Sequence, residues 1–156
     1  MDTIFKLSLC VSFPLIIGGI SGVATASNIT SWYVTLNKPS FNPPNYLFGP
    51  VWTILYLLMG ISLFIILQSP PNNLRKKAIT AFVSQLLLNF LWSFLFFQFH
   101  ALGIALFEII AMLCSILWMI ISFYKINKTA ALINIPYVLW VSFASILNAS
   151  IYFLNS

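Results

Sequence analysis

Three stripes of residues carry the groups with which this chain could do chemistry. Gln85, Asn89, Trp92, Ser93 and Phe96 recur at three- and four-residue spacing, which places them on one face of a helix. Tyr137, Trp140, Ala144, Asn148 and Ile151 do the same further along, and Trp52, Leu55, Tyr56 and Met59 form a third stripe. Indole and phenol rings offer flat faces, while amides and indole N–H groups offer a few hydrogen bonds. That combination suits the binding of a broad, flat, largely apolar molecule. It does not suit nucleophilic catalysis, because the only histidine, His100, has no nearby carboxylate to orient it. A metal site needs three or four suitably spaced ligands. Cys10 and Cys114 lie far apart with no C-x-x-C and no Cys/His cluster, so no metal centre is expected. There is no Gly-rich phosphate loop.

The elements that must position these stripes follow from composition. Of 156 residues, 61% are apolar and only 6% are charged, seven Lys or Arg against two Asp or Glu. A soluble domain has about a quarter of its residues charged, so this chain cannot cover a globule with polar surface. The net charge of +5 comes from isolated lysines and one short run, which make no basic face for nucleic acid. The chain therefore reads as an integral membrane protein. A barrel strand would alternate apolar and polar residues over about ten positions. Here the uncharged intervals are continuous and exceed the roughly 20 residues of a spanning helix. The sequence predicts an all-α bundle of five transmembrane helices over residues 5–27, 48–68, 78–99, 102–123 and 129–154, forming one domain across residues 1–156. A long structured loop joins the first two helices. Lys6, Arg75, Lys76, Lys77, Lys125 and Lys128 share one side and Lys38 alone holds the other. Positive residues favour the cytoplasm, so the N-terminus is expected inside and the C-terminus outside. Ala24-Thr25-Ala26 fits a small-x-small cleavage pattern, but the apolar stretch is longer than a signal core and Asp2 accompanies Lys6; a retained first span is the expectation.

The stripes converge in depth. Trp52 stands near the outer end of an inward-running helix, Asn89, Trp92 and Asn148 stand in the outer halves of outward-running ones, and Trp140 lies near mid-depth. Intramembrane amides turn to the bundle interior, either as glue between helices or as ligand contacts. An interfacial aromatic belt accounts for Trp32 and Tyr33 but not for Trp92 or Trp140, which should bond another helix or line a cavity. The proline-rich loop 28–46 can be ordered outside the bilayer, and the convergence suggests a pocket beneath it. Glu108 is the lone intramembrane acid, to be protonated or paired with a polar group or another subunit, with helix glue favoured over a ligand or proton role. Gly18, Gly19 and Gly22 offer a small face for close helix packing or a dimer seam.

These residues resemble the tryptophan-rich sensory protein/translocator protein (TspO/MBR) family, also called peripheral-type benzodiazepine receptors. Trp32-Tyr33, Leu36, Lys38-Pro39-Ser40 and Pro43-Pro44 are similar to W-Y-x-x-L-x-K-P-S-x-x-P-P. Gly49-Pro50-Val51-Trp52, Leu55-Tyr56 and Met59-Gly60 are similar to G-P-V-W-x-x-L-Y-x-x-M-G. Gln85, Asn89, Trp92 and Phe96-Phe97 match Q-x-x-x-N-x-x-W followed by F-F. Pro136-Tyr137, Trp140, Phe143-Ala144 and Leu147-Asn148 match P-Y-x-x-W-x-x-F-A-x-x-L-N. The four blocks stand in family order over essentially the whole chain.

The resemblance implies a five-helix bundle in a bacterial or mitochondrial membrane, commonly a homodimer, that binds tetrapyrroles such as protoporphyrin IX; a bacterial cell membrane is the expected location. The resemblance also implies a sensor, regulator or scavenger, with light- and oxygen-dependent porphyrin breakdown as a further activity; a tetrapyrrole transporter is the alternative. Carried over by residue, the pocket positions are Trp52, Asn89, Trp92, Ser93 and Trp140, with Ala144 beside them and Trp32, Tyr33 and Pro43 in a lid; the stripes add Tyr56, Phe96 and Asn148 as ligand positions. Trp52 and Trp140 would be the photochemically active pair. Porphyrin is expected as ligand or substrate, with no cofactor required and no nucleic-acid partner; beyond the porphyrin, the surrounding membrane lipid is the other partner. Phe41 stands where many members have Trp. The sterol pattern is incomplete, since no Lys or Arg follows Leu147 and Tyr152, so sterol binding is not expected.

Overall fold

The computed structural model describes residues 3–156; Met1 and Asp2 lie outside them. Long apolar runs form helices because in a bilayer every backbone N–H and C=O must be satisfied within the segment. The helices are α1 (Thr3–Ile29), α2 (Phe48–Leu67), α3 (Asn73–Ser93), α4 (Leu102–Tyr124), α5 (Lys128–Leu132) and α6 (Ile135–Asn155). Among the described residues five stretches are long and apolar enough to cross a membrane, α5 and α6 sharing the last. There is no strand among the described residues. The chain is a multi-pass membrane protein, as the composition requires.

Local chemistry sets the ends. The Asn72 side chain caps α3 by accepting from the Arg75 N–H at 2.8 Å, and Asn127 caps α5 by accepting from Ala130 at 3.0 Å. The cap starts α3 five residues before the predicted 78, because the Arg75–Lys77 run is helical too. The predicted span 129–154 is broken in two. Pro136 has no N–H for the carbonyl four residues back, and its ring crowds that carbonyl. The Asn134 side chain fills in by donating to Ala130 O at 2.9 Å. At its other end α3 widens into a π-helical turn, Phe94–Gln98, closed by the Phe99 N–H on Phe94 O at 2.8 Å.

The helices form a ring in which α1 packs on α2 and α3, α3 on α4, α4 on α5 and α6, and α5 on α2. The ring's core is Met59, Ile66, Phe82, Ile109, Met112, Ile116, Met119, Phe123, Val141 and Ile151, all fully buried. Residues such as Phe13, Ile54, Leu87, Phe107 and Leu139 point outward and are exposed, an apolar belt suited to lipid. α1 and α2 touch most closely at Gly60, where an added Cβ would lie 2.5 Å from Val11 Cα and 2.8 Å from Cys10 O. Small residues let membrane helices approach to this range. Gly60→Val should therefore lower unfolding free energy by about 1–3 kcal/mol through overpacking. Gly19→Ala adds its Cβ in open space and should match or exceed the parent. Thermal unfolding in detergent checks both.

Candidate ligand site

Two sets of intramembrane polar groups tie helices together at the centre of the ring. The Tyr56 hydroxyl donates to Asn89 Oδ1 at 2.5 Å, Asn89 Nδ2 donates to the Tyr137 hydroxyl at 2.9 Å, and Tyr137 donates to Gln85 Oε1 at 2.7 Å. This chain joins α2, α3 and α6. Nearer the loop end, Trp92 Nε1 donates to Asn148 Oδ1 at 3.1 Å, and Asn148 Nδ2 donates to Leu102 O at 3.2 Å. The amides of the α3 stripe are thus used as glue, and one of them, Asn89, stands directly behind a cavity wall.

That cavity lies between α1 and α2 and has a volume of about 470 Å³. One wall is the glycine face of α1, Gly18, Gly19 and Gly22, continued by Thr25 and Ala26. The other is Trp52 and Tyr56 of α2, with Ser93 of α3 beside them. The Trp52 and Tyr56 rings are stacked, centroids 5.7 Å apart at 28°, and Trp52 meets Tyr137 edge-on at 6.2 Å. Gly18 lets the Tyr56 ring lie against α1, for any Cβ there would collide with it. Cavities of about 300–1,000 Å³ hold most small-molecule ligands.

Trp140, Trp92, Phe96, Ala144 and Asn148 stand in two neighbouring hollows rather than in this one, while Gln85, Asn89 and Tyr137 line none of the three. Trp140 lines a groove of about 400 Å³ between α2 and α6, with Val51, Leu55 and Phe143. Its indole nitrogen is buried and has no acceptor among the described residues. Trp92, Phe96, Ala144 and Asn148, with Tyr33 from the loop, surround a nearly closed space of about 10 Å³. Phe48 borders both the large cavity and the small space and meets Trp140 of the groove edge-on at 6.2 Å. Glu108, on α4, has both carboxylate oxygens buried without a hydrogen-bond partner among the described residues. No His, Cys, Asp or Glu cluster able to hold a metal occurs among the described residues.

The loop over this end is ordered by its own chemistry. Tyr33 is only 1% exposed; its ring packs on Phe48, Phe96 and Phe97, and its hydroxyl donates to Asn42 Oδ1 at 2.5 Å. Asn42 Nδ2 donates in turn to Pro43 O at 3.1 Å. The Lys38 ammonium gathers the carbonyls of Leu36 at 2.7 Å and Tyr33 at 2.9 Å. Asn37 and Asn155 bond reciprocally, the Asn37 N–H to Asn155 Oδ1 at 3.0 Å and Asn155 Nδ2 to Asn37 O at 2.9 Å, which fastens the loop to the end of α6. Trp32 lies on the ring of His100.

A profile of the TspO/MBR family matches residues 10–154. The chain belongs to the TspO/MBR family. It is 43% identical over 154 residues to the tryptophan-rich protein TspO of Archaeoglobus fulgidus, covering 98% of this chain and 99% of that one. It is 38% identical to the tryptophan-rich protein TspO of Chlorobaculum tepidum, over 97% of each. It is 30% identical over 119 residues to the translocator protein of Homo sapiens, covering 75% of this chain and 70% of that one.

In this TspO/MBR chain the four blocks of the resemblance fall on the loop, α2, α3 and α6, and α1 carries none of them. Yet α1 supplies a whole cavity wall. Residue chemistry gave no sign of this, since a glycine contributes to a cavity by the side chain it lacks. Phe48, on the border of two of the hollows, was also missed, because one more Phe among fifteen carries no signal.

The loop yields a pH test. Burial pushes the Tyr33 phenol up to about 12, against about 10 in an unfolded chain. The protonated form is favoured in the fold, so its contribution is complete below about pH 10 and fades as pH rises through the folded value. The phenolate absorbance titration of the parent minus that of Tyr33→Phe should show a component near 12; a component at the unfolded value would contradict the buried loop anchor.

Proposed function

We propose that this protein binds a tetrapyrrole of the protoporphyrin IX kind in the cavity between α1 and α2. The observation that carries the reading is the stacked Trp52–Tyr56 wall facing a glycine-lined helix. A porphyrin is a broad flat π-system, and offset stacking on indole and phenol faces favours it. The hydroxyls of Thr25 and Ser93 on the cavity lining give it donors for a carbonyl or propionate, the Tyr56 hydroxyl having given its proton to Asn89. Trp140 supplies a further donor, the buried indole N–H that lacks an acceptor among the described residues. Rotation of Phe48 joins the two flanks of α2, so that Trp52 and Trp140 act on one ligand.

The protein works in a bacterial cell membrane as a homodimer, and its role is sensing, regulating or scavenging the tetrapyrrole. Six basic residues fall in the connections on one side of the spans against Lys38 on the other, a bias that supports a cytoplasmic N-terminus. Under light, the bound porphyrin passes its excitation to dioxygen. The activated oxygen adds to the electron-rich indole of Trp140 or Trp52, and the peroxide so formed attacks the porphyrin ring.

Porphyrin titration of the purified parent, Trp52→Phe and Trp140→Phe, in darkness and in light, tests this. Losing the indole face at Trp52 should weaken dark binding about two- to ten-fold, the worth of one aromatic stacking contact. Trp140→Phe should keep the fold and slow light-dependent loss of porphyrin absorbance. A parent protein that binds no porphyrin overturns the reading, and an unchanged rate in Trp140→Phe removes the photochemical part.

A further inference from the structure

His100 occupies the turn between the π-helical end of α3 and the start of α4, and its φ is +54°. The left-handed region is uncommon for a residue with a side chain, although His, Asn and Asp visit it more than most. Held this way, the imidazole lies flat on the indole of Trp32, centroids 3.9 Å apart at 14°. Its Nε2 is 3.4 Å from Asn28 Oδ1. Trp32 is backed by Phe96, which it meets at 5.8 Å and 72°. Asn28 is itself fixed to α1 by its Nδ2 on Ala24 O at 3.0 Å. The imidazole therefore joins three things: the loop end of α1, the first residues of the loop, and the α3–α4 turn. The same end of α1 lines the large cavity through Thr25, Ala26 and Ile29.

We propose that His100 is a pH-sensitive positioning residue that acts through Trp32 to hold the loop closed over the cavity. The latch itself stands on this geometry; its effect on a ligand rests on the binding reading above. The neutral ring stacks on Trp32 by dispersion and donates to Asn28 only in one tautomer. The protonated ring donates from both nitrogens, so the Asn28 bond is always available, and it sets a cation on the face of indole, the best aromatic partner for one. The groups that face the ring are Trp32 from the loop, Asn28 from α1 and, behind the indole, Phe96 from the end of α3; none of them titrates. Lys38 is engaged by the Tyr33 and Leu36 carbonyls, and Glu108 lies further down α4 with its oxygens buried. Neither bonds to the ring. Protonation thus favours the closed loop, and deprotonation removes the gain.

The test uses the full chain in lipid nanodiscs, followed from about pH 8 to about pH 5, the range that brackets imidazole titration. Two quantities are read: amide hydrogen exchange of residues 30–47 without ligand, corrected for intrinsic rates, and protoporphyrin IX dissociation in darkness. In the parent, loop protection and porphyrin residence time should both rise about two- to five-fold towards acid, the worth of one exposed cation–π contact. His100→Asn keeps a residue that tolerates the turn and should give a looser loop with no pH step. Trp32→Leu keeps the imidazole without the π face and should also lose the step. A flat profile in the parent, or a full step surviving in His100→Asn, overturns the proposal. If the parent binds no porphyrin while the exchange step is present and lost in both variants, the latch stands and the ligand reading falls.

Discussion

An amide side chain left unpaired in hydrocarbon is expensive, and this bundle carries Gln85, Asn89 and Asn148 within its spans. The Tyr56–Asn89–Tyr137–Gln85 chain resolves that constraint for two of them and in doing so fixes the relative rotation of α2, α3 and α6. With α2 turned so that Tyr56 reaches Asn89, Trp52 one helical turn away faces α1. The cavity wall is a consequence of satisfying the polar groups. The same chain ties the wall to α3 and α6, which would lower the ordering cost of binding the proposed flat ligand.

The cavity itself needs a second condition, which α1 supplies. Gly18 admits the Tyr56 ring, Gly60 admits the α1 backbone, and Gly19 and Gly22 meet nothing within 4 Å. Close contact at one level and open space at the next are both produced by glycine. Helices that touch firmly at Gly60 hold the gap open above it.

Much of this was legible in the sequence. Charge-free intervals located five spans, and three- and four-residue spacing placed the Trp and amide stripes. The break at Asn134 was not read, although Pro136 announces it. The stripes also suggested one pocket, whereas the structure distributes their residues over three hollows. Spacing along a helix identifies a face, but not which neighbour that face meets. The direction depends on helix order around the ring, and in a chain this apolar the outward faces look like the inward ones. Trp140 illustrates the difference: its stripe points inward at Tyr137 and Asn148, while its own indole lies in the α2–α6 groove.

The central claim is that the α1–α2 cavity is where the ligand sits. Filling it from the glycine side tests that without touching any aromatic or polar group. Gly19→Phe places a ring in space where no atom lies within 4 Å of the added Cβ. Protoporphyrin IX affinity should fall at least about ten-fold, roughly 1.4 kcal/mol, while the unfolding temperature stays at or above that of the parent. Unchanged affinity in a Gly19→Phe protein of parental stability would contradict the account.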